Sequence, residues 1–443
     1  MSEKLDPRKQ KRLERIARQE KMRASGPQDA AASTITAQAS QPSVDRLAVR
    51  FTPVDTWFFR ESRPHNAVGA SELGSLFPPP PRTLAGALRT LVGDTAGFDW
   101  RGFSPNNPFS EVIGYGDDLG PLAFDGPWLD LDGERLFPTP VFLFGSGHGA
   151  ARSLKRLEIG DAVLTDLRTD GVPVHLPMLP KNIRGYRSLE GTWINSQGMG
   201  CLLAGGLPGA DMLRDERQHD ESSARQAHDS LLVEEPRLGI ARENFRRTAV
   251  DAQLYQTRHL RPHQGLGITF GVRGLADYRL PDSTVLVRLG GEGRMAAVSW
   301  RAAADPLPDY FRPKLAKRTK GLILILLTSA DLSGDWLPTG FKPCNGKGCW
   351  RGDIAGIPLT IHSAVLGKAR REGGWDQAAS IPRAVRSLVP AGSAWYCTVD
   401  GDMEVAIAKL HGAAIGCEQT LGRGRLAVGL WVQSEFPQGA IAP

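Results

Sequence analysis

From Leu47 the chain alternates, with Leu47, Val49 and Phe51 apolar between polar or smaller neighbours; this period of two predicts a half-buried strand, and Trp57-Phe58-Phe59 leads it into a loop. A second period begins after the turn-rich Phe77-Pro78-Pro79-Pro80-Pro81. Leu84, Ala87, Leu88, Leu91 and Val92 recur at i, i+3, i+4, i+7 and i+8, which predicts an amphipathic helix with Thr83 as N-cap and Gly93 as terminator. Two short runs, residues 128–131 and 134–137, flank Asp132-Gly133, a dipeptide suited to the tight turn of a two-residue hairpin. Strand, helix and hairpin in that order indicate an antiparallel α+β unit of ferredoxin type rather than a parallel doubly wound sheet.

The pattern lapses over residues 205–229, a polar, charge-mixed stretch expected to be a mobile loop, and resumes at Leu231. Strands are expected at 267–272 and 284–289, the second running into a tight turn at Gly290-Gly291-Glu292-Gly293-Arg294. The apolar run from Leu322 to Leu327 reads as a buried strand that opens a second α+β unit, closed by a strand from Leu426 to Val432. Asp305-Pro306-Leu307-Pro308-Asp309 breaks the pattern between the two. The expected organisation is therefore an arm and linker over residues 1–46, an N-terminal domain with insertions over 47–305 and a C-terminal domain over 306–443.

Composition adds three points. Fifty glycines and thirty-two prolines require many turns and short strands. Five cysteines without framework spacing, and no apolar leader, point to a reducing cytoplasm, and the longest apolar run falls far short of the roughly twenty residues that cross a bilayer. The net charge of +6 is unevenly placed: residues 1–23 hold nine Lys or Arg against four acids, a net of +5, which leaves +1 for the rest. The arm reads as an exposed basic segment, disordered or helical, joined through the Ala/Ser-rich residues 24–44. A site for a polyanion on the folded body must therefore be a local patch.

Gly422-Arg423-Gly424-Arg425-Leu426-Ala427 matches a dinucleotide-binding fingerprint literally, yet it precedes a strand instead of opening a helix, so a nicotinamide cofactor is disfavoured and no cofactor is expected. Either it is a plain tight turn, or its glycines bring the backbone close to a phosphate that Arg423 and Arg425 pair with. Cys344 and Cys349, with His259 and His263, lack the spacing of a zinc site, and a simple hairpin explains the glycines between the cysteines equally well. No signature of a common hydrolase or NTPase is present.

Several short motifs occur in a particular order: Phe59-Arg60-Glu61-Ser62-Arg63-Pro64, Phe77-Pro78-Pro79 leading to Arg82-Thr83-Leu84-Ala85-Gly86, Glu235 to Ile240, Leu254-Tyr255, Leu289 to Arg294, Gly374-Trp375-Asp376, Val389 to Ser393 and the loop from Gly422 to Gly429. In this order they resemble the RAMP-family subunit of type III-B (Cmr) CRISPR effector complexes that binds the crRNA 5′ tag. The resemblance implies two ferredoxin-like (RRM-like) domains and a non-catalytic architectural protein. It also implies assembly with the Palm-domain large subunit and a backbone RAMP subunit, and only indirect contact with target RNA. The sequence departs from the family at His65, where a Phe is usual, and at Arg423, where an aromatic is usual.

Candidate RNA-binding residues are Arg60, Arg63, Arg82, Arg242, Arg246, Arg247, Arg294, Gly422, Arg423, Gly424 and Arg425, loop arginines and the glycines that support them. The pairs Arg246-Arg247 and Arg423/Arg425 concentrate charge most. The competing reading is a metal-independent RAMP endoribonuclease that processes guide RNA with His65 as acid/base, helped by Tyr115 or Lys181.

Overall fold

The computed structural model describes residues 46–61, 72–217 except 148, 169, 181 and 182, 230–303 except 244, 276–279 and 282, residue 307, and 311–432. The N-terminal arm before residue 46, Arg63, His65 and Lys181 lie outside the described residues.

The first sheet begins with β1 (Leu47–Pro53), whose inward side chains Val49 and Phe51 are fully buried. It pairs antiparallel with β8 (Leu266–Arg273) on one side and β10 (Met295–Ala302) on the other. β2 (Ala123–Leu131) and β3 (Glu134–Pro138) form the expected hairpin, with Asp132 at φ 51° and Gly133 at φ 88°. β4 (Thr192–Asn195), β5 (Leu213–Arg217), β6 (Ser230–Glu243) and β7 (Thr248–Pro262) extend the sheet, and β9 (Val285–Arg288) closes its other edge against β10. The order is β9-β10-β1-β8-β2-β3-β4-β5-β6-β7, with Glu72–Leu73 against β7. The second sheet runs Lys342–Pro343, β12 (Trp350–Ile354), β13 (Ile357–Val365), β14 (Ala394–Val399), β11 (Thr319–Leu326) and β15 (Leu426–Val432). Strand at 44% against helix at 13% makes the protein α+β, as the sequence predicts.

Three helices matter for packing. α1 (Pro81–Thr95) buries Leu84, Leu88, Leu91 and Val92 in a core with Phe51, Leu129 and Phe270. Its limits differ from the expected ones. Pro81 takes a first-turn position, where a missing N–H costs nothing, and Pro80 is the N-cap, so Thr83 lies inside the helix. Gly93 is also internal, because a Cβ there would stand 2.3 Å from the Trp100 ring. α2 (Ser196–Leu203) starts at Asn195, whose Oδ1 accepts the Gly198 N–H at 2.9 Å. α3 (Met403–Leu410) starts at Asp402, which accepts from Glu404 and Val405, and buries Ala406, Ile407 and Leu410.

β11 connects the cores through its alternation. Leu322, Leu324 and Leu326 enter the core that α3 covers, while Ile323 and Ile325 enter a third core with Trp128, Phe137 and Ile194 of the first sheet and Leu202 and Leu203 of α2. The loop expected over 205–229 is ordered up to Arg217: Leu213 is buried in that third core, and Asp215 receives Arg152 at 2.9 Å. Residues 218–229 lie outside the described residues.

Candidate nucleic-acid interface

β6 and β7 form a long hairpin in register from Leu232↔Pro262 to Glu243↔Thr248, with an irregularity between Ile240 and Arg242. Neighbours support only its base, β5 as far as Leu232 and Glu72–Leu73 at Gln256 and Thr257. Beyond that, no further strand among the described residues pairs with the two, and the six residues 238–243 extend the ribbon by about 20 Å at the usual strand rise. The turn is closed by the Arg247 N–H donating to the Glu243 carbonyl at 2.8 Å, with Arg247 at φ 56°. At this tip Phe245 is 94% exposed, and Arg246 and Arg247 are exposed beside it. Arg246 comes no closer than 3.8 Å to the Glu243 carboxylate, a weak exposed contact.

The base of the arm is different, because its arginines are engaged. Arg237 pairs with Glu235 at 2.6 Å and Asp55 at 3.1 Å, Arg261 with the same two carboxylates, and Arg294 with Asp55 at 3.2 Å. Arg258 joins Glu72 and Glu234. The hydrogen bond from Arg237 is the largest of several influences that hold the Asp55 carboxyl below its usual range. His259 stacks on Phe58 at 5.0 Å, and its Nδ1 meets Thr56 Oγ1 at 3.1 Å. Burial, reinforced by Arg237 and Arg294, lowers its pKa.

The glycine loop before β15 faces inward. Gly422 and Gly424 have φ of 84° and 70°, and a Cβ on Gly424 would lie 1.9 Å from the Ile415 carbonyl oxygen, so this turn admits no side chain. Arg423 is 3% exposed; its Nη2 donates to Glu372 at 2.6 Å and its Nε to Glu418 at 2.9 Å. Arg425 donates to Asp125 at 3.1 Å and to the Gly412 carbonyl at 2.6 Å. Glu418 also receives Arg82 and Arg386, and Arg82 and Arg383 share Asp117. Burial alone would raise the Glu372 carboxyl, but Arg370 and Arg423 outweigh it and hold it low. Arg370 further donates to the Phe77 carbonyl at 3.0 Å and to that of Pro78. The result is a seam of matched charges between the proline run, the start of α1 and the second sheet.

The structure thus sorts the described arginines singled out by sequence, apart from Arg60, into three groups. Arg82, Arg423 and Arg425 lie in or beside the inward seam, Arg294 belongs to the base of the arm, and Arg246 and Arg247 form its tip with Arg242 nearby on β6. Arg60 is exposed elsewhere, at a backbone bridge to Ser75. Sequence reasoning missed Arg237, Arg258 and Arg261 at the base and Arg370, Arg383 and Arg386 in the seam. A signal existed in Glu235-x-Arg237 and Arg370-x-Glu372, since i, i+2 residues share one face of a strand. Cys344 and Cys349 bracket a turn closed by the Cys344 N–H donating to the Cys349 carbonyl at 2.9 Å, and Arg168 donates to three carbonyls of that turn. Burial, aided by Cys344, pushes the Cys349 thiol up to about 11.

The molecule is thus an α+β protein in which Arg82, Arg423 and Arg425 are engaged by carboxylates of the chain itself while Arg246 and Arg247 are exposed at the tip of the β6–β7 arm. The sequence profile of the CRISPR-associated protein family Cas_Cmr3 matches residues 49–431, and the chain belongs to that family. No curated protein matches it. Two solved chains similar to it come from cryo-EM structures of the Type III-B Cmr-beta bound to cognate target RNA. One, also bound to AMPPnP, is 14% identical, with 79% of this chain and 86% of that chain covered and a TM-score of 0.38. The other is 14% identical, with 87% and 99% covered and a TM-score of 0.40.

Proposed function

We propose that this chain is a non-catalytic RNA-binding subunit of a type III-B CRISPR effector complex, holding the 5′ tag of the crRNA beside the Palm-domain large subunit and a backbone RAMP subunit. The observation that carries the RNA-binding part is the arm tip, where an almost fully exposed aromatic ring stands next to two exposed arginines. A ring offers a stacking face to an unpaired base, and guanidiniums offer charge-assisted hydrogen bonds to phosphate. Membership of a CRISPR-associated family supplies the setting. Two ferredoxin-like domains fit this reading: β10-β1-β8-β2 and β15-β11-β14-β13 each have the antiparallel order fourth-first-third-second, and each keeps one helix, α1 or α3.

The test is a gel-shift titration of purified protein against single-stranded RNA carrying the guide tag, over a range of salt. Phe245→Ala/Arg246→Ala/Arg247→Ala should fold normally, lose most of the affinity and lower the salt slope by about 1.4, roughly 0.7 for each phosphate contact removed from a single strand. Unchanged binding by this variant would remove the arm from the site. Site-specific RNA cleavage abolished by His65→Ala would replace the reading with that of a guide-processing nuclease.

A further inference from the structure

Between Asp309 and Asp331 the chain carries no acid, and the first part of that stretch holds five cations, Arg312, Lys314, Lys317, Arg318 and Lys320. The body from residue 24 onward has a net charge of only +1, so outside these residues it is net acidic. The surplus of positive charge on the body is therefore concentrated in one short segment leading into β11.

The segment is anchored to the body. Phe311 packs in the third core and meets the Phe137 ring at 5.3 Å, and Pro313 is buried as well. Arg312 and Lys314, which alternate with them, are exposed. The Thr319 N–H then donates to the Ala316 carbonyl at 3.0 Å, and the Ala316 N–H to Thr319 Oγ1 at 3.2 Å. This doubly closed turn sets Lys317 and Arg318 at its exposed centre, and Lys320 follows, exposed, at the start of β11. Arg312 and Arg318 also interact within the chain, whereas Lys314, Lys317 and Lys320 enter no ion pair or hydrogen bond among the described residues. Like charges so close in the chain repel one another, and a polyanion that neutralises them is favoured.

We propose that this segment binds the phosphate backbone of single-stranded RNA through Lys314, Lys317 and Lys320, without reading the base sequence. An ammonium is a compact point charge suited to phosphate, and residues 312–320 offer no aromatic ring on which a base could stack. A protein surface fits less well, because lysine is depleted from protein interfaces and Leu315 is the one large apolar side chain exposed among these residues. The site requires that the chain bind RNA, as proposed above, but not that the arm do so.

The full chain, titrated over a range of salt with a single-stranded oligouridylate that lacks the tag, tests it. Lys314→Gln/Lys317→Gln/Lys320→Gln should keep the wild-type melting temperature and lower the salt slope by about 2, roughly 0.7 for each lysine. The same drop should appear in the arm variant Phe245→Ala/Arg246→Ala/Arg247→Ala. If that arm variant itself binds as the wild type does, the arm is removed from the reading and this site stands. Amine acetylation read by mass spectrometry locates the contact: RNA should protect the three lysines severalfold and leave Lys342 and Lys409, which are also exposed, unprotected. No binding of oligouridylate, an unchanged slope while the arm still holds tag RNA, protection spread evenly over these and the control lysines, or stronger protection by polyglutamate than by oligouridylate would each overturn the proposal.

Discussion

Arg423 keeps a full charge where almost no water reaches it, and two carboxylates make that tolerable. Glu372→Ala would leave Arg423 and Arg370 short of their shared partner, and should cost about 3 kcal/mol in urea unfolding at neutral pH, whereas Arg246→Ala on the exposed tip should stay within about 0.5 kcal/mol. The pH dependence follows from the depressed pKa of Glu372. Its contribution is present above the unfolded carboxyl pKa and lost as pH falls through the folded value, so the gap between wild type and Glu372→Ala should close in acid. A gap that persists there would assign the loss to packing instead. The glycines and arginines of this loop were legible in the sequence as a tight, charged turn. Their inward direction was not, because Arg423 meets Glu372 across 51 residues and Arg425 meets Asp125 across 300. Short-range pattern holds no record of such pairs.

Elements governed by their own neighbours in sequence were the readable ones. The Asp132-Gly133 hairpin and the Leu84–Val92 stripe of α1 needed no distant information. The end of α1 did, since the reason for Gly93 is the Trp100 ring that folds back over it. Two glycines of this helix should therefore respond in opposite ways. Gly86→Ala, where nothing lies within 4 Å, should stabilise by about 0.5–1 kcal/mol, and Gly93→Val should destabilise by about 1–3 kcal/mol; thermal melts of the two variants decide it. The β6–β7 arm escaped notice for another reason. Its order rests on charged residues, Glu234, Glu235, Arg237 and Arg258, whose cross-strand pairing no short-range apolar pattern records.

For the whole molecule, the third core joins Trp128, Phe137 and Ile194 to Ile323, Ile325 and Tyr396, and Asp125 of β2 receives Arg425 from the loop before β15. The two sheets therefore share buried surface, and scanning calorimetry should record one unfolding transition rather than two, with the calorimetric and van't Hoff enthalpies in agreement. Two separated peaks would show that each half melts alone. Over the outer stretch of the arm no strand among the described residues pairs with the outward edge of either β6 or β7. An unpaired strand edge is a template for another strand. Pro236 removes one N–H from one edge, and the charged tip discourages approach, but Leu238 and Ile240 remain exposed on the same ribbon. Two copies of the chain at high concentration would therefore be open to zipping together ribbon to ribbon along these edges.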